Sequence, residues 1–145
     1  MPYRAKPCGA ELHSFLGFLV RCNVERHLYK LYGYKGKQVR DNIHSYDVAR
    51  FIERFIGSPR TGEVYNIGGG RENSVSIIEA FAAIEEISGN QMIYEYVEEH
   101  RSGDHICYIS DLTKAQAHYP GWAITQDLRA IMYDIYNGWI QRSIL

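Results

Sequence analysis

The chain has 145 residues, 46% hydrophobic and 23% charged, with 16 basic and 17 acidic side chains and a formal net charge of −1. That is the composition of a single globular domain; it excludes a disordered chain and gives no bulk electrostatic case for a nucleic-acid or membrane partner. Cys8, Cys22 and Cys107 are odd in number and widely spaced, which fits reduced thiols better than a disulfide framework. No apolar run reaches the ~18 residues of a membrane span, and Met1 to Lys6 lead into no uninterrupted apolar stretch of the signal-peptide kind, so the expected location is the cytoplasm.

Residues 1–10 carry Pro2, Pro7 and Gly9 without periodicity and read as an irregular lead-in to a domain covering 11–145. From Glu11, the spacing of Leu12, Phe15, Leu16, Leu19 and Val20 predicts a helix with one apolar stripe. Tyr29 to Tyr32 reads as a short strand closed by the turn Gly33-Tyr34-Lys35-Gly36. Val48, Phe51, Ile52, Phe55 and Ile56 predict a second amphipathic helix over about 46–56, with Ser45 as N-cap and Gly57 as stop.

After the turn Pro59 to Gly62, residues 63–67 read as a strand that runs into Gly68-Gly69-Gly70. Ser74 is the expected cap of a helix whose face is Ile77, Ile78, Phe81 and Ile84, ending near Gly89. Residues 91–97 and 105–109 read as strands, and a short helix from about 112 stops before Pro120-Gly121. The last helix, with Thr125 as its expected cap, carries Leu128, Ile131, Met132, Ile135 and Trp139 on one face. Strands alternating with helices predict an α/β fold.

The glycine run after a strand invites a dinucleotide-binding reading. That fingerprint is G-x-G-x-x-G opening directly into a helix, whereas here Asn73 stands three beyond Gly70. A tight turn needing positive φ is the favoured role. His100, His105 and Cys107 match no familiar zinc spacing, so no metal site is expected. His44 is expected to order the turn into the second helix, and Cys22 to pack. Neither a phosphate-binding P-loop nor a G-x-S-x-G nucleophile elbow occurs.

Two arginines carry the functional question. Arg40 lies in Gly36-Lys37-Gln38-Val39-Arg40-Asp41, and Arg101 in Arg101-Ser102-Gly103-Asp104. On the residues alone, two readings stand. Arg40 pairs with Asp41 or a neighbour and Arg101 with Asp104 or Glu98-Glu99, each worth under about 1 kcal/mol if exposed. Otherwise both guanidinium forks, set on separate loops, reach one diphosphate, and Asp104 accepts from a ribose hydroxyl.

From about Glu11 to Tyr136 the chain resembles the C-terminal, substrate-binding half of an extended short-chain dehydrogenase/reductase of the NAD-dependent epimerase/dehydratase family. The matching pieces are Tyr29-Lys30-Leu31-Tyr32-Gly33, Gly36-Lys37-Gln38-Val39-Arg40-Asp41-Asn42-Ile43-His44, Gly62-Glu63-Val64-Tyr65-Asn66-Ile67-Gly68 and Arg101-Ser102-Gly103-Asp104 followed by Ile109-Ser110-Asp111. Glu11-Leu12-His13 together with Gly-Lys-Gln-Val-Arg-Asp is most similar to the epimerases that convert CDP-paratose to CDP-tyvelose.

The resemblance implies a small substrate-binding α/β subdomain lacking most of the Rossmann domain, and a CDP- or UDP-linked sugar as ligand. It implies that Tyr32 packs on or near the base, that Arg40 contacts the diphosphate or ribose, and that Arg101 and Asp104 bind diphosphate and ribose. The family's cofactor fingerprint and Tyr-x-x-x-Lys set are missing from this sequence, so no catalytic residue is expected here. NAD is implied for the complete enzyme and not for this chain alone. Catalysis is expected to need a separate N-terminal Rossmann chain, without which uncovered apolar surface leads to self-association. The alternative is a non-catalytic remnant or stand-alone binding module.

Overall fold

The computed structural model describes residues 15–99 and 102–143. The lead-in at 1–10, the start of the first helix at 11–14, Cys8, His100 and Arg101 lie outside the described residues. The chain order is α1 (Phe15–Val24), β1 (Tyr29–Tyr32), β2 (Val39–Asp41), α2 (Ser45–Gly57), β3 (Ser74–Ser76), α3 (Ile77–Ser88), β4 (Tyr94–Val97), β5 (Cys107–Tyr108), α4 (Thr113–His118) and α5 (Leu128–Ser143). These elements divide into two compact units. Among the described residues the first holds 15–37, 77–99, 102–104 and 132–143, and the second 38–76 and 105–131. No helix among the described residues is long and apolar enough to cross a membrane.

In the first unit the apolar stripe of α1, Leu16, Leu19 and Val20, is buried, as are Ile77, Ala80, Phe81 and Ile84 of α3, and the two helices pack together. Each large side chain so removed from water contributes about 1.5–3 kcal/mol. Cys22 is buried in the same helix and packs, as expected. Strand β1 pairs in parallel with β4, Tyr29 opposite Tyr94 and Tyr32 opposite Val97. The Tyr29 ring meets Phe18 and Phe81 at 5.8 and 5.6 Å between centroids. Beyond β1 the chain turns through four successive positive φ values, Gly33 61°, Tyr34 48°, Lys35 52° and Gly36 72°. Gly36 is required twice over, because a Cβ there would lie 2.6 Å from Ile78 Cγ1 as well as at positive φ.

In the second unit β2 is the central strand, antiparallel to β3 and parallel to β5. Its core is Phe51, Leu112, Ala115, Tyr119 and Trp122, with Ile43, Phe55, Tyr65, Ile67 and Ile124 packed against it. Phe51 meets Tyr65, Tyr119 and Trp122 edge-on at 5.4, 5.4 and 5.1 Å, the geometry that ring quadrupoles favour.

Several local expectations change. Residues 74–76 form β3, so α3 begins at Ile77 and Ser74 does not cap it; Val75 is buried where it pairs with Arg40. Residues 63–67 turn Tyr65 and Ile67 toward the core but join no sheet among the described residues. His44, not Ser45, caps α2, its Nδ1 accepting from Tyr46 N at 3.0 Å. Thr125 does not cap α5; Asp127 does, Oδ1 accepting from Ala130 N at 2.8 Å. On α2, Ile52 and Ile56 are 50% and 71% exposed, and the buried positions are Phe51 and Asp47.

Candidate functional site

Arg40 is the middle residue of β2, not a loop residue, and its register partners are Val75 on β3 and Tyr108 on β5. Successive strand residues face opposite ways, so Arg40, Val75 and Tyr108 share one face of the sheet, and Val39 and Asp41 take the other. Asp41 is therefore not a partner for its neighbour. Its Oδ2 accepts from Gly70 N at 3.0 Å and from Ser110 N at 3.1 Å, tying the glycine run and the chain beyond β5 to β2. The Arg40 guanidinium donates from Nη1 to Val39 O at 2.9 Å and pairs with no carboxylate among the described residues. The result is a half-buried cation on the central strand of its sheet, next to an acid whose Oδ2 is taken up by two backbone amides.

Tyr108, 50% exposed, sets an aromatic ring on the face that carries Arg40, and its ring lies 6.0 Å from that of His105. Sequence reasoning missed it. The strand reading at 105–109 found the element, but the pairing that puts Tyr108 beside Arg40 is a long-range register no local pattern reports.

The glycine run is positioned for a different reason than positive φ alone. Only Gly70 has positive φ, 67°. A Cβ on Gly68 would collide with Ser110 Oγ and the Asp41 carboxylate, and one on Gly69 with the carbonyl of Asn42. The residues present do not fit a dinucleotide pyrophosphate, because the Gly70 amide already serves Asp41 and the faces of Gly68 and Gly69 are filled by protein. A cavity of about 380 Å³ beyond this run is lined by Gly70, Arg71, Ser110, Asp111, Gln116 and Ile124, among others.

A second acid, Asp47, was also missed. It is fully buried on the first turn of α2, and its carboxylate accepts from Thr125 Oγ1 at 2.6 Å, Thr125 N at 3.0 Å and Gln126 N at 3.0 Å. Its backbone carbonyl accepts from Trp122 Nε1 at 2.9 Å. Burial by itself pushes the carboxyl up, but the Thr125 and Gln126 donors, helped by the Arg50 guanidinium, outweigh it and hold Asp47 below the usual carboxylate range.

Of the other expected contacts, Tyr32 is half-buried at the end of β1, where Gly33 N donates to Val97 O at 2.8 Å. Asp104 is exposed just past a turn that Gly103 makes at φ 82°. Tyr32 and Asp104 belong to the first unit and Arg40 to the second, and Arg101 lies outside the described residues.

No protein-family model matches the chain. Solved structures do. MoeE5, in complex with UDP-glucuronic acid and NAD, is 28% identical with a TM-score of 0.74 over 90% of this chain and 42% of its own. The UDP-glucuronic acid 4-epimerase of Bacillus cereus, with UDP-glucuronic acid and NAD, is 23% identical with a TM-score of 0.78 over 90% and 40%. The dTDP-glucose 4,6-dehydratase of Bacillus anthracis, with NAD, is 24% identical with a TM-score of 0.76, again over 90% and 40%. The chain spans about 40% of the length of these proteins. It has the small α/β fold of the C-terminal part of extended short-chain dehydrogenase/reductase epimerases.

Proposed function

We propose that this chain is the nucleotide-sugar-binding part of an NAD-dependent epimerase or dehydratase, and that a separate N-terminal half supplies cofactor and catalysis. The observation that carries the reading is Arg40: a guanidinium fixed on a central strand, beside an exposed ring, whose neighbouring acid is committed to Gly70 and Ser110. A guanidinium so held suits a diphosphate, and the solved proteins of this fold named above were captured with UDP-sugar, NAD or both. In this reading Arg40 and Arg101 hold the diphosphate, Asp104 accepts from the ribose, and Tyr32 lies along the base. The chain acts in the cytoplasm and binds no NAD on its own.

The finer assignment, a CDP-paratose 2-epimerase-like part, rests on Glu11-Leu12-His13 and the Gly-Lys-Gln-Val-Arg-Asp run. Calorimetric titration with UDP and with CDP tests both levels. Binding of a nucleoside diphosphate that weakens roughly 10- to 100-fold in Arg40→Ala is expected, the loss of about 1.5–3 kcal/mol that a charge-assisted contact carries. A preference for CDP supports the finer assignment and a preference for UDP overturns it. No heat with either nucleotide overturns the binding reading itself. Purified chain given CDP-paratose and NAD is expected to show no epimerisation, and turnover would refute the need for a second half.

A further inference from the structure

In the first unit, Tyr29 and Leu31 of β1 lie opposite Tyr94 and Tyr96 of β4, and alternation along the strands puts all four on one side of the pair. Helix α3 covers that side unevenly. Its Phe81 ring packs on Tyr29 and Tyr94 at 5.6 and 5.1 Å between centroids. One turn nearer the helix start stands Ile78, and there a cavity of about 200 Å³ remains, lined by Leu31, Lys35, Ile78, Tyr94 and Tyr96. Leu31 is its buried floor, while Ile78, Tyr94 and Tyr96 are 40, 50 and 45% exposed. A single exposed apolar side chain is ordinary; three around one cavity are the walls of a ligand site.

One cation accompanies them. Lys35, at φ 52°, directly follows Tyr34 at 48°, so two successive residues with side chains hold a left-handed conformation that L-residues avoid. Backbone strain of this kind persists where the surrounding structure holds a side chain in one place, and here that place is the mouth of the cleft. The Lys35 ammonium makes no ion pair or hydrogen bond among the described residues. The net charge of −1 gives the chain no general attraction for anions, so selectivity for an acid at this cleft falls to Lys35.

We propose that this cleft binds a single aromatic ring bearing a carboxylate. Volume sets the size of the ligand: a cavity of about 150 Å³ holds benzene, so about 200 Å³ holds one substituted ring. Tyr94 and Tyr96 meet the ring through their own π systems, Leu31 and Ile78 supply apolar contact, and the Lys35 ammonium takes the acid. Leu31 and Tyr32 are successive residues of β1 and face opposite ways, so the cleft and the expected base contact at Tyr32 lie on opposite sides of the strand. The proposal therefore stands independently of the nucleotide reading.

The probe is benzoate, titrated into the full-length chain and read by carbon–proton NMR of methyl groups and tyrosine rings. Saturable shifts of the Leu31 and Ile78 methyls and of the Tyr96 ring are expected, with a dissociation constant on the order of 1 mM for so small a ligand. Acetate lacks the ring and benzylamine reverses the charge, and each is expected to bind roughly 10-fold more weakly or worse. Lys35→Gly relieves the positive φ, so it is expected to keep the melting temperature while weakening benzoate roughly 10-fold, to the level of neutral benzyl alcohol. Tyr96→Ala is expected to weaken benzoate and benzyl alcohol alike. Arg40→Ala and saturating UDP are expected to leave benzoate binding unchanged.

No saturable shift at benzoate concentrations up to about 20 mM, well beyond that constant, would overturn the proposal. So would benzylamine that binds as well as benzoate, a Lys35→Gly chain that binds like the wild type, or displacement of benzoate by UDP. The ligand series on the wild-type chain needs no variant to fold. The UDP titration reads the nucleotide site separately: lost UDP binding with the benzoate shifts intact refutes the proposed function and supports the cleft, and the reverse refutes the cleft alone.

Discussion

Asp41 and Asp47 show how a carboxylate can organise a backbone it does not belong to. Each accepts amides from segments far away in sequence, Gly70 and Ser110 for the first, Thr125 and Gln126 for the second. Asp47 is fully buried, so Asp47→Asn is expected to destabilise by about 2–4 kcal/mol, because it removes one accepting oxygen and leaves a buried donor facing an amide. Its folded pKa lies below the unfolded value of about 3.9, so the unfolded chain binds the extra proton first. The stabilisation is complete above roughly pH 5 and is lost as pH falls through the folded value. Urea midpoints measured from pH 6 to pH 2 should fall less steeply for Asp47→Asn than for the wild type; equal slopes would refute the assignment. The glycines give a second residue-scale test. Gly69→Ala drives a Cβ into the Asn42 carbonyl, and because that neighbour is backbone the cost is expected at or above the upper end of the usual overpacking range of about 1–3 kcal/mol. Gly57→Ala meets nothing within 4 Å and is expected to be neutral or to stabilise by up to about 1 kcal/mol.

At the scale of elements, the helix ends differ from their sequence signals for a common reason. Ser45 and Thr125 are ordinary capping residues by type, but Thr125 is drawn to Asp47 and the capping positions fall to His44 and Asp127. Asp127→Ala is expected to lower stability by about 1 kcal/mol, seen as a lower denaturation midpoint with unchanged m-value, whereas Ser45→Ala should change it little. The helices themselves were legible because Leu16, Leu19 and Val20, or Phe81 and Ile84, repeat at helical spacing. Strands β2 and β3 were not, since three residues each carry too little pattern, and what makes them strands is pairing between Val39 to Asp41 and Ser74 to Ser76. The site divides the same way. Arg40 was visible as a residue, its setting on a central strand was not, and Tyr108 enters only through register. Ile52 and Ile56 illustrate the opposite limit: a helical pattern predicts an apolar face but not whether this chain covers it.

At the scale of the molecule, a net charge of −1 means that no global field draws an anion to this protein. Any diphosphate must be recognised by local geometry, a guanidinium on a strand and donors at fixed distances. Short-range contacts on a partly buried arginine are screened less than surface charges separated by more than the Debye length of about 10 Å at 0.1 M salt. Nucleotide affinity is therefore expected to change only a few-fold between 0.05 and 0.5 M salt, roughly the loss of one or two screened contacts. Binding only to the folded chain also stabilises it by mass action, by about 2.7 kcal/mol at a ligand concentration 100 times the dissociation constant. For a chain of 145 residues that corresponds to a rise in melting temperature of roughly 5–10 °C. The rise should shrink sharply in Arg40→Ala at the same nucleotide concentration, and it should persist in 0.5 M salt. A shift that survives Arg40→Ala but collapses in salt would instead mean diffuse attraction to the scattered surface lysines, and the strand-mounted arginine would lose its place as the centre of the site.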